Sequence, residues 1–266
     1  MPKDPPMSLH SSHSSSAFSV QALPGLGIIH EGDDVGRFIC QASLESKFPL
    51  QNDDILVIAQ TIISRAEGRV VTLSEIKPSR RARRLASRLG KRAEQVEVIL
   101  QASKRILRAE QGHLIVETPH GFVCANAGVD SSNVPDIDAV TLLPENPDAS
   151  AQRIRRTIHE HLKVKVGIII SDTHGRPFRE GAINVAIGIA GIVPLKTYVG
   201  MIDLFGYELR TTRVAVADEL ASTAELIMGE ADEGNAVVVI RGYRFEAGEG
   251  SAQMLVRDAK RDLFRR

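Results

Sequence analysis

Val166-Gly167-Ile168-Ile169-Ile170-Ser171, followed by Asp172-Thr173-His174-Gly175-Arg176-Pro177, decides the class of fold. Three consecutive isoleucines without a charge read as a strand covered on both faces, because a half-exposed strand would alternate apolar with polar residues. The polar stretch after it reads as a loop opening at Asp172, and open sheets present ligand-binding groups at such strand ends. Two other runs share this character, Ile55-Leu56-Val57-Ile58-Ala59 and Val237-Val238-Val239-Ile240. The first is expected to carry on through Thr61-Ile62-Ile63-Ser64 and to stop at Ala66-Glu67-Gly68.

Helical patterns lie between these runs. Asp33-Asp34 offers a start for a helix from Val35 to Phe48, and Pro78-Ser79 precedes one that reaches Leu89 and closes on Gly90. Further helices are expected over Glu94 to Lys104, Ala151 to His161, and Arg213 to Met228 ending at Gly229. Ile106 to Ala109, Leu114 to Thr118 and Gly121 to Ala125 read as short strands, with Pro119-His120-Gly121 as a hairpin turn. Ala127 to Ser150 is long and polar, and Gly181 to Val193 is apolar and Gly-rich. The mixture predicts an α/β (mixed α+β) fold without a clean β-α-β alternation.

Composition narrows the function. The chain has 266 residues, enough for a sizeable core, and its 33 Lys+Arg balance 33 Asp+Glu. Bulk attraction to nucleic acid or anionic membrane is therefore disfavoured. Aromatics are 4% with no Trp, which argues against stacking platforms. Cys40 and Cys124 sit in apolar surroundings and fit a reducing cytoplasm. No apolar run approaches a membrane span, and the Pro-, Ser- and His-rich start lacks the apolar stretch of a signal peptide.

Three segments combine acidic residues with turn geometry: Asn126-Ala127-Gly128-Val129-Asp130-Ser131-Ser132-Asn133, the loop from Ser171, and Met228-Gly229-Glu230-Ala231-Asp232-Glu233-Gly234. Alone, each reads as a solvated turn. Together they offer hard oxygen ligands that suit Mg²⁺ or Mn²⁺ better than zinc, with a polyphosphate to complete the coordination. Arg176 and Arg179 carry the planar fork that binds phosphate or carboxylate. A lone His174 reads as a bystander. Lys77 to Arg92 holds eight basic residues and reads as a solvated face, with RNA binding as the rival. The familiar phosphate loops and nucleophile motifs are missing; Leu23-Pro24-Gly25-Leu26-Gly27 is a weak signal by itself.

The motifs together resemble one family, the coenzyme F420-0:L-glutamate ligases (F420 gamma-glutamyl ligases). The matching pieces are Glu31-Gly32-Asp33-Asp34, Ser64-Arg65-Ala66-Glu67-Gly68-Arg69, the stretch His120 to Val134, Ser171 to Arg176, Ala186-Ile187-Gly188, Asp203-Leu204-Phe205-Gly206, Val216-Ala217-Asp218-Glu219 and Met228-Gly229-Glu230. They span about Leu23 to Gly242 in family order.

The resemblance implies a GTP-dependent ligase that joins L-glutamate to the carboxylate of F420-0 through an acyl phosphate, with further gamma-linked glutamate. It implies two divalent cation sites, with K⁺ as a further candidate, and an intertwined homodimer of unusual fold. Asp130 and Asp172 match metal carboxylates, and Thr173 and Glu230 match positions at a second metal. Leu26, Gly27, Ile28, Ile29, Gln60, Thr61, Arg65, Asn133, Met228 and Gly229 match the nucleotide site. Lys is common in the family where Arg65 stands, and Ser where Gln60 stands. Arg176, Arg179 and Asn184 are candidates for the F420-0 pocket. The expected organisation is a disordered tail over 1–17, a ligase domain over 18–248 with room for two subdomains, and a C-terminal helix over 249–266. The fused second domain of some family members is not matched here, so no redox step is expected. The alternative is a related metal- and nucleotide-dependent ligase acting on another carboxylate.

Overall fold

The computed structural model describes residues 17–134 and 136–265. The expected disordered tail falls, up to residue 16, outside the described residues. In chain order the elements are β1 (Ser19–Ala22), α1 (Val35–Glu45), β2 (Ile55–Ala59), α2 (Gln60–Ala66), β3 (Val70–Thr72), α3 (Arg80–Leu89), α4 (Ala93–Gln101), β4 (Arg105–Glu110), β5 (His113–Glu117), β6 (Val123–Ala125), β7 (Ala139–Thr141), α5 (Pro147–Leu162), β8 (Gly167–His174), β9 (Ile183–Ala190), β10 (Leu195–Thr197), β11 (Arg213–Ala215), α6 (Val216–Met228) and β12 (Val237–Arg241). This is a mixed α/β arrangement of several sheets and helices.

The three uncharged runs lie side by side. The main sheet has the order β1-β12-β2-β8-β9, so β12, β2 and β8 are its interior strands. Only β2 and β8 run parallel; every other pairing in that sheet is antiparallel. Ile55 to Ile58, Ile168 to Ile170 and Val237 to Ile240 are all fully buried, consecutive residues included, so both faces of the sheet are covered. At roughly 2 kcal/mol for each such side chain taken out of water, these strands dominate the core. Helices α5 and α6 both pack on β9, and α1 packs on α5. Gly188 on β9 faces the start of α5 so closely that a Cβ would stand 2.6 Å from the Pro147 carbonyl.

A second apolar cluster is separate from the first. Strands β4, β5 and β6 form an antiparallel meander. Leu114 and Val116 of β5 are buried in the same cluster as Val96 and Ile99 of α4 and Ala82 and Ala86 of α3. Ser79 caps α3 by accepting from the Ala82 amide, and Gly90 ends it at φ 65°, as the sequence predicts.

Several expectations are corrected. Thr61 to Ser64 is helix α2 rather than a continued strand. The pairings of β2 end at Ile58 on one side and Ala59 on the other, so the next residues have no partner strand and bury Ile62 and Ile63 from a helix. Conversely, no loop opens at Asp172: β8 runs on to His174, paired with β9 down to Ile183. Helix α5 starts earlier than expected, at Pro147, where Asn146 accepts from the Ala149 amide. Helix α6 starts later, because Arg213–Ala215 pair with Leu195–Thr197. Residues 249–265 carry no long helix. They form two 3₁₀ turns, Ala252–Leu255 and Ala259–Arg261. The second is shaped by the Asp258 side chain, and Arg265 beyond it reaches Glu117 and the Gly121 carbonyl.

Candidate functional site

A cleft of about 560 Å³ opens where the parallel strands β2 and β8 end. It gathers segments from residue 27 to residue 236. Gly27, Ile28, Ile29, Gln60, Thr61, Arg65, Asp130, Asn133, Asp172, Thr173, Asn184, Met228, Gly229 and Glu230 all line it. Leu26 does not; it is turned into the core. Arg176 and Arg179 are also absent from the lining, and Arg176 Nη2 instead donates to the Glu180 carbonyl at 3.4 Å.

Each wall is held by local structure. Gln60 begins α2, and its Nε2 donates to Ser64 Oγ at 2.7 Å and to the Leu142 carbonyl at 3.2 Å. The turn before Asp130 is left-handed over three residues, with φ of 54°, 59° and 68° at Asn126, Ala127 and Gly128. A non-glycine residue in that region costs roughly 1 kcal/mol, a cost that recurs where structure serves a site. Asp130 is then fixed by backbone exchange with Thr141, 3.1 and 2.8 Å. Its carboxylate accepts from the Ser132 amide at 2.9 Å and from the Ser132 hydroxyl.

The end of β8 supplies the opposite wall. A register shift in the β8–β9 pairing falls between Ile170 and Ser171, the kind of irregularity that re-aims side chains beside active sites. Beyond it Thr173 stands opposite Asn184. Thr173 Oγ1 lies 2.8 Å from Asn184 Oδ1 and 2.7 Å from Glu230 Oε1. Asn184 Nδ2 donates to Glu225 Oε2 on α6. Gly229, at φ 71°, turns the chain out of α6 and presents Glu230. His174 Nε2 is 3.2 Å from Asp172 Oδ2, though not aligned as a hydrogen bond.

Electrostatics mark the cleft. Burial, then the hydrogen bond and charge of Glu230, push the Glu225 carboxyl up to about 7, against the lowering effect of Asn184. Burial lowers the pKa of Arg65. Burial and the charge of Asp172 push the neighbouring Cys124 thiol up to about 12, so it offers no thiolate.

Three buried polar atoms that line the cleft have no hydrogen-bond partner: Arg65 Nε, Asn126 Oδ1 and Ser171 Oγ. Buried unsatisfied groups are rare because each forfeits its hydration, so their convergence points to a ligand. The donors fit a hard cation, since Asp130, Asp172, Thr173 and Glu230 offer only oxygen. Among the described residues no three His, Cys, Asp or Glu side chains are grouped closely enough to hold an ion by themselves. That pattern suits Mg²⁺, which takes one or two carboxylates and draws other ligands from phosphate and water.

Sequence reasoning missed Glu225 as a cleft residue, and named Ser171 and Asn126 only as members of two acidic segments without a role of their own. For Glu225 a signal existed. The buried stripe of α6 includes Ala217, Leu220, Ala221, Ala224 and Met228, and Glu225 borders it where a fully solvated carboxylate is not expected.

The sequence matches the family described as F420-0:Gamma-glutamyl ligase over residues 25–242. A protein of Methanothermobacter thermautotrophicus named coenzyme F420:L-glutamate ligase is 48% identical over 249 residues, covering 93% of this chain and 98% of that protein. The protein of that name from Methanocaldococcus jannaschii is 48% identical over 230 residues, 86% of this chain and 92% of its own. The one from Archaeoglobus fulgidus is 43% identical over 249 residues, 94% and 96% respectively. With motifs, cleft and relatives in agreement, the chain belongs to the F420-0:gamma-glutamyl ligase family.

Proposed function

We propose that the chain is a GTP-dependent ligase that joins L-glutamate to the carboxylate of coenzyme F420-0 and adds further gamma-linked glutamate, using Mg²⁺ or Mn²⁺. The observation that carries this reading is the convergence of every nucleotide and metal candidate except Leu26 on one cleft lined with unpartnered polar atoms.

The chemistry follows from the substrate. A carboxylate is a poor electrophile because oxide is a poor leaving group. Its oxygen attacks the γ-phosphorus of GTP, the bond to the β-phosphate oxygen breaks, and GDP leaves with the electron pair. The acyl phosphate is then attacked at carbon by the amine of glutamate, phosphate departs, and the amine proton passes to solvent. Both steps crowd negative charge, so the protein contributes position and electrostatics.

Asp130 and Asp172 would hold one cation, and Thr173 with Glu230 a second. The cations supply neutralisation of phosphate charge. Arg65 adds a guanidinium with an unused Nε. K⁺ is a further candidate for the anionic cleft. The working form in this reading is a homodimer. Its support is the excursion between β10 and β11, which leaves Leu204 92% and Phe205 95% exposed in a single copy. Among the described residues no helix is long and apolar enough to cross a membrane.

The test is incubation with F420-0, L-glutamate, GTP and Mn²⁺ or Mg²⁺, read by mass spectrometry for added glutamyl units. Absence of any addition rejects the reading. A second reading, the same chemistry on a different carboxylate, is favoured by the position of Arg176 and Arg179 outside the cleft. Exclusive use of F420-0 among varied acceptors disposes of it.

A further inference from the structure

We propose that Glu225 is a positioning residue: it orients the Asn184 amide so that the Thr173 hydroxyl keeps a free lone pair toward the cleft. This rests on the ligase reading above for the identity of the reaction, though not for the geometry.

The argument begins with a buried amide. Asn184 is 3% exposed, so neither end of its side chain can turn to water. A carboxyl oxygen that carries no proton only accepts hydrogen bonds, and Glu225 Oε2 is the atom that accepts from Asn184 Nδ2. With Glu225 Oε2 on one side, the Nδ2 end of Asn184 must face it, and the Oδ1 end must face Thr173. Helix α6 grips the same residue again, since Ser222 Oγ donates to the Asn184 main-chain carbonyl at 2.8 Å. The amide is thus held from side chain and backbone by one helix.

The consequence falls on Thr173. Its hydroxyl has one proton and two acceptors within reach, Asn184 Oδ1 at 2.8 Å and Glu230 Oε1 at 2.7 Å. A cation drawn to Glu230 and Thr173 requires the proton to point elsewhere. Asn184 Oδ1 is the acceptor that takes it, leaving both the Glu230 carboxylate and a Thr173 lone pair for the ligand. Were the amide reversed, its NH₂ would donate to Thr173 and occupy that lone pair. By accepting from Nδ2, Glu225 biases the amide against the reversed state.

The experiment uses the full chain and two readouts, Mn²⁺ affinity by EPR titration with GTP present and glutamyl addition to F420-0. Glu225→Ala is expected to weaken Mn²⁺ binding by about 10- to 100-fold, as loss of a group that orients a metal ligand does. Glu225→Gln, which can still present an acceptor to Asn184, is expected to recover most of that loss. The double variant Glu225→Ala, Asn184→Ala is expected to be no worse than Asn184→Ala alone, because the first residue acts through the second. Unchanged Mn²⁺ affinity in Glu225→Ala overturns the proposal. So does a Glu225→Gln variant as weak as Glu225→Ala, which would make the charge itself the agent, and so do additive losses in the double variant. If Glu225→Ala does not fold, the same weakening in Asn184→Ala, with recovery in Glu225→Gln, carries the test. Wild-type protein that binds Mn²⁺ but adds no glutamate breaks the ligase reading, while the Mn²⁺ titrations still decide the role of Glu225.

Discussion

The cleft at the ends of β2 and β8 and a groove between α3 and β4 have similar volumes, about 560 and 460 Å³, and opposite construction. The cleft sets carboxylates, amides and hydroxyls among apolar residues, several of them tied into a network or left without a partner. The groove is lined by Arg81, Arg84 and Arg88 over a floor of Leu85, Ile106 and Ala109. All three arginines are exposed, and none forms an ion pair among the described residues. Only Arg88 is tied down, to the Ala109 carbonyl. Water already satisfies an exposed guanidinium, whereas nothing satisfies Ser171 Oγ. The contrast teaches that the proposed site is set apart from the groove by buried, unmet hydrogen-bonding capacity rather than by density of charge.

The sharpest way to break that contrast is to remove one carboxylate from the cleft. Asp172→Ala is expected to cut glutamyl addition by about 10³-fold or more, the scale of losing an electrostatic element of a reacting site. Its melting curve should stay close to wild type, and near-normal turnover would show that the cleft is misassigned.

A second prediction probes how dry the core beside the cleft is. Burial and Asp172 raise the Cys124 thiol to about 12, and burial and Asp34 raise Cys40 to about 11. Iodoacetamide at pH 8 is therefore expected to label both at least about 100-fold more slowly in native protein than in urea, since the thiolate is the reactive form. Rapid native labelling would mean that this wall opens.

The third prediction moves to the second apolar cluster, which carries the groove. Glu117 is buried and accepts from Lys104 at 3.1 Å, Arg105 at 2.8 Å and Arg265 at 3.2 Å. Burial raises its pKa, but the hydrogen bonds and charges of Lys104 and Arg105 outweigh that and hold it below the usual carboxylate range. The folded value lies below the unfolded one. The stabilisation is therefore complete above about pH 4.3 and is lost as pH falls through the folded value. Glu117→Ala is expected to cost about 2 kcal/mol at pH 7 and much less at pH 3, read by urea denaturation at each pH. A pH-independent cost would remove the electrostatic account.

The smallest effect belongs to the groove. Arg84→Ala is expected to leave turnover within about twofold and stability within about 0.5 kcal/mol. A large loss of turnover would erase the distinction between the two concavities. A gel shift with RNA across salt concentrations adds to this, since salt-sensitive binding would give the arginines a ligand.

Legibility in the sequence followed the range of the interactions. The strands β2 and β12 and the caps of α1 and α3 could be read because a run of isoleucine and valine, or a Ser before a helix, carries its reason locally. The polar end of β8 could not. Asp172 to His174 read as a loop because of their polarity, and their pairing with residues 183–185 keeps them extended. Helix α2 was hidden for the converse reason: Thr61, Ile62 and Ile63 favour strands, and the lack of a neighbouring strand overrides them. Asp130, Asp172 and Glu230 were legible as a set through the family motifs. Glu225 was not, because its role depends on Asn184 across the sheet-to-helix packing.

The place of β12 has a consequence for synthesis on the ribosome. This strand, made of residues 237–241, inserts between β1 and β2, which lie near the other end of the chain. Until residues 237–241 emerge, β1 has no neighbour and β2 shows a bare, wholly apolar edge. Products truncated before this strand therefore display a ready template for aggregation. The sheet closes only when residues 19–22 and 237–241 meet.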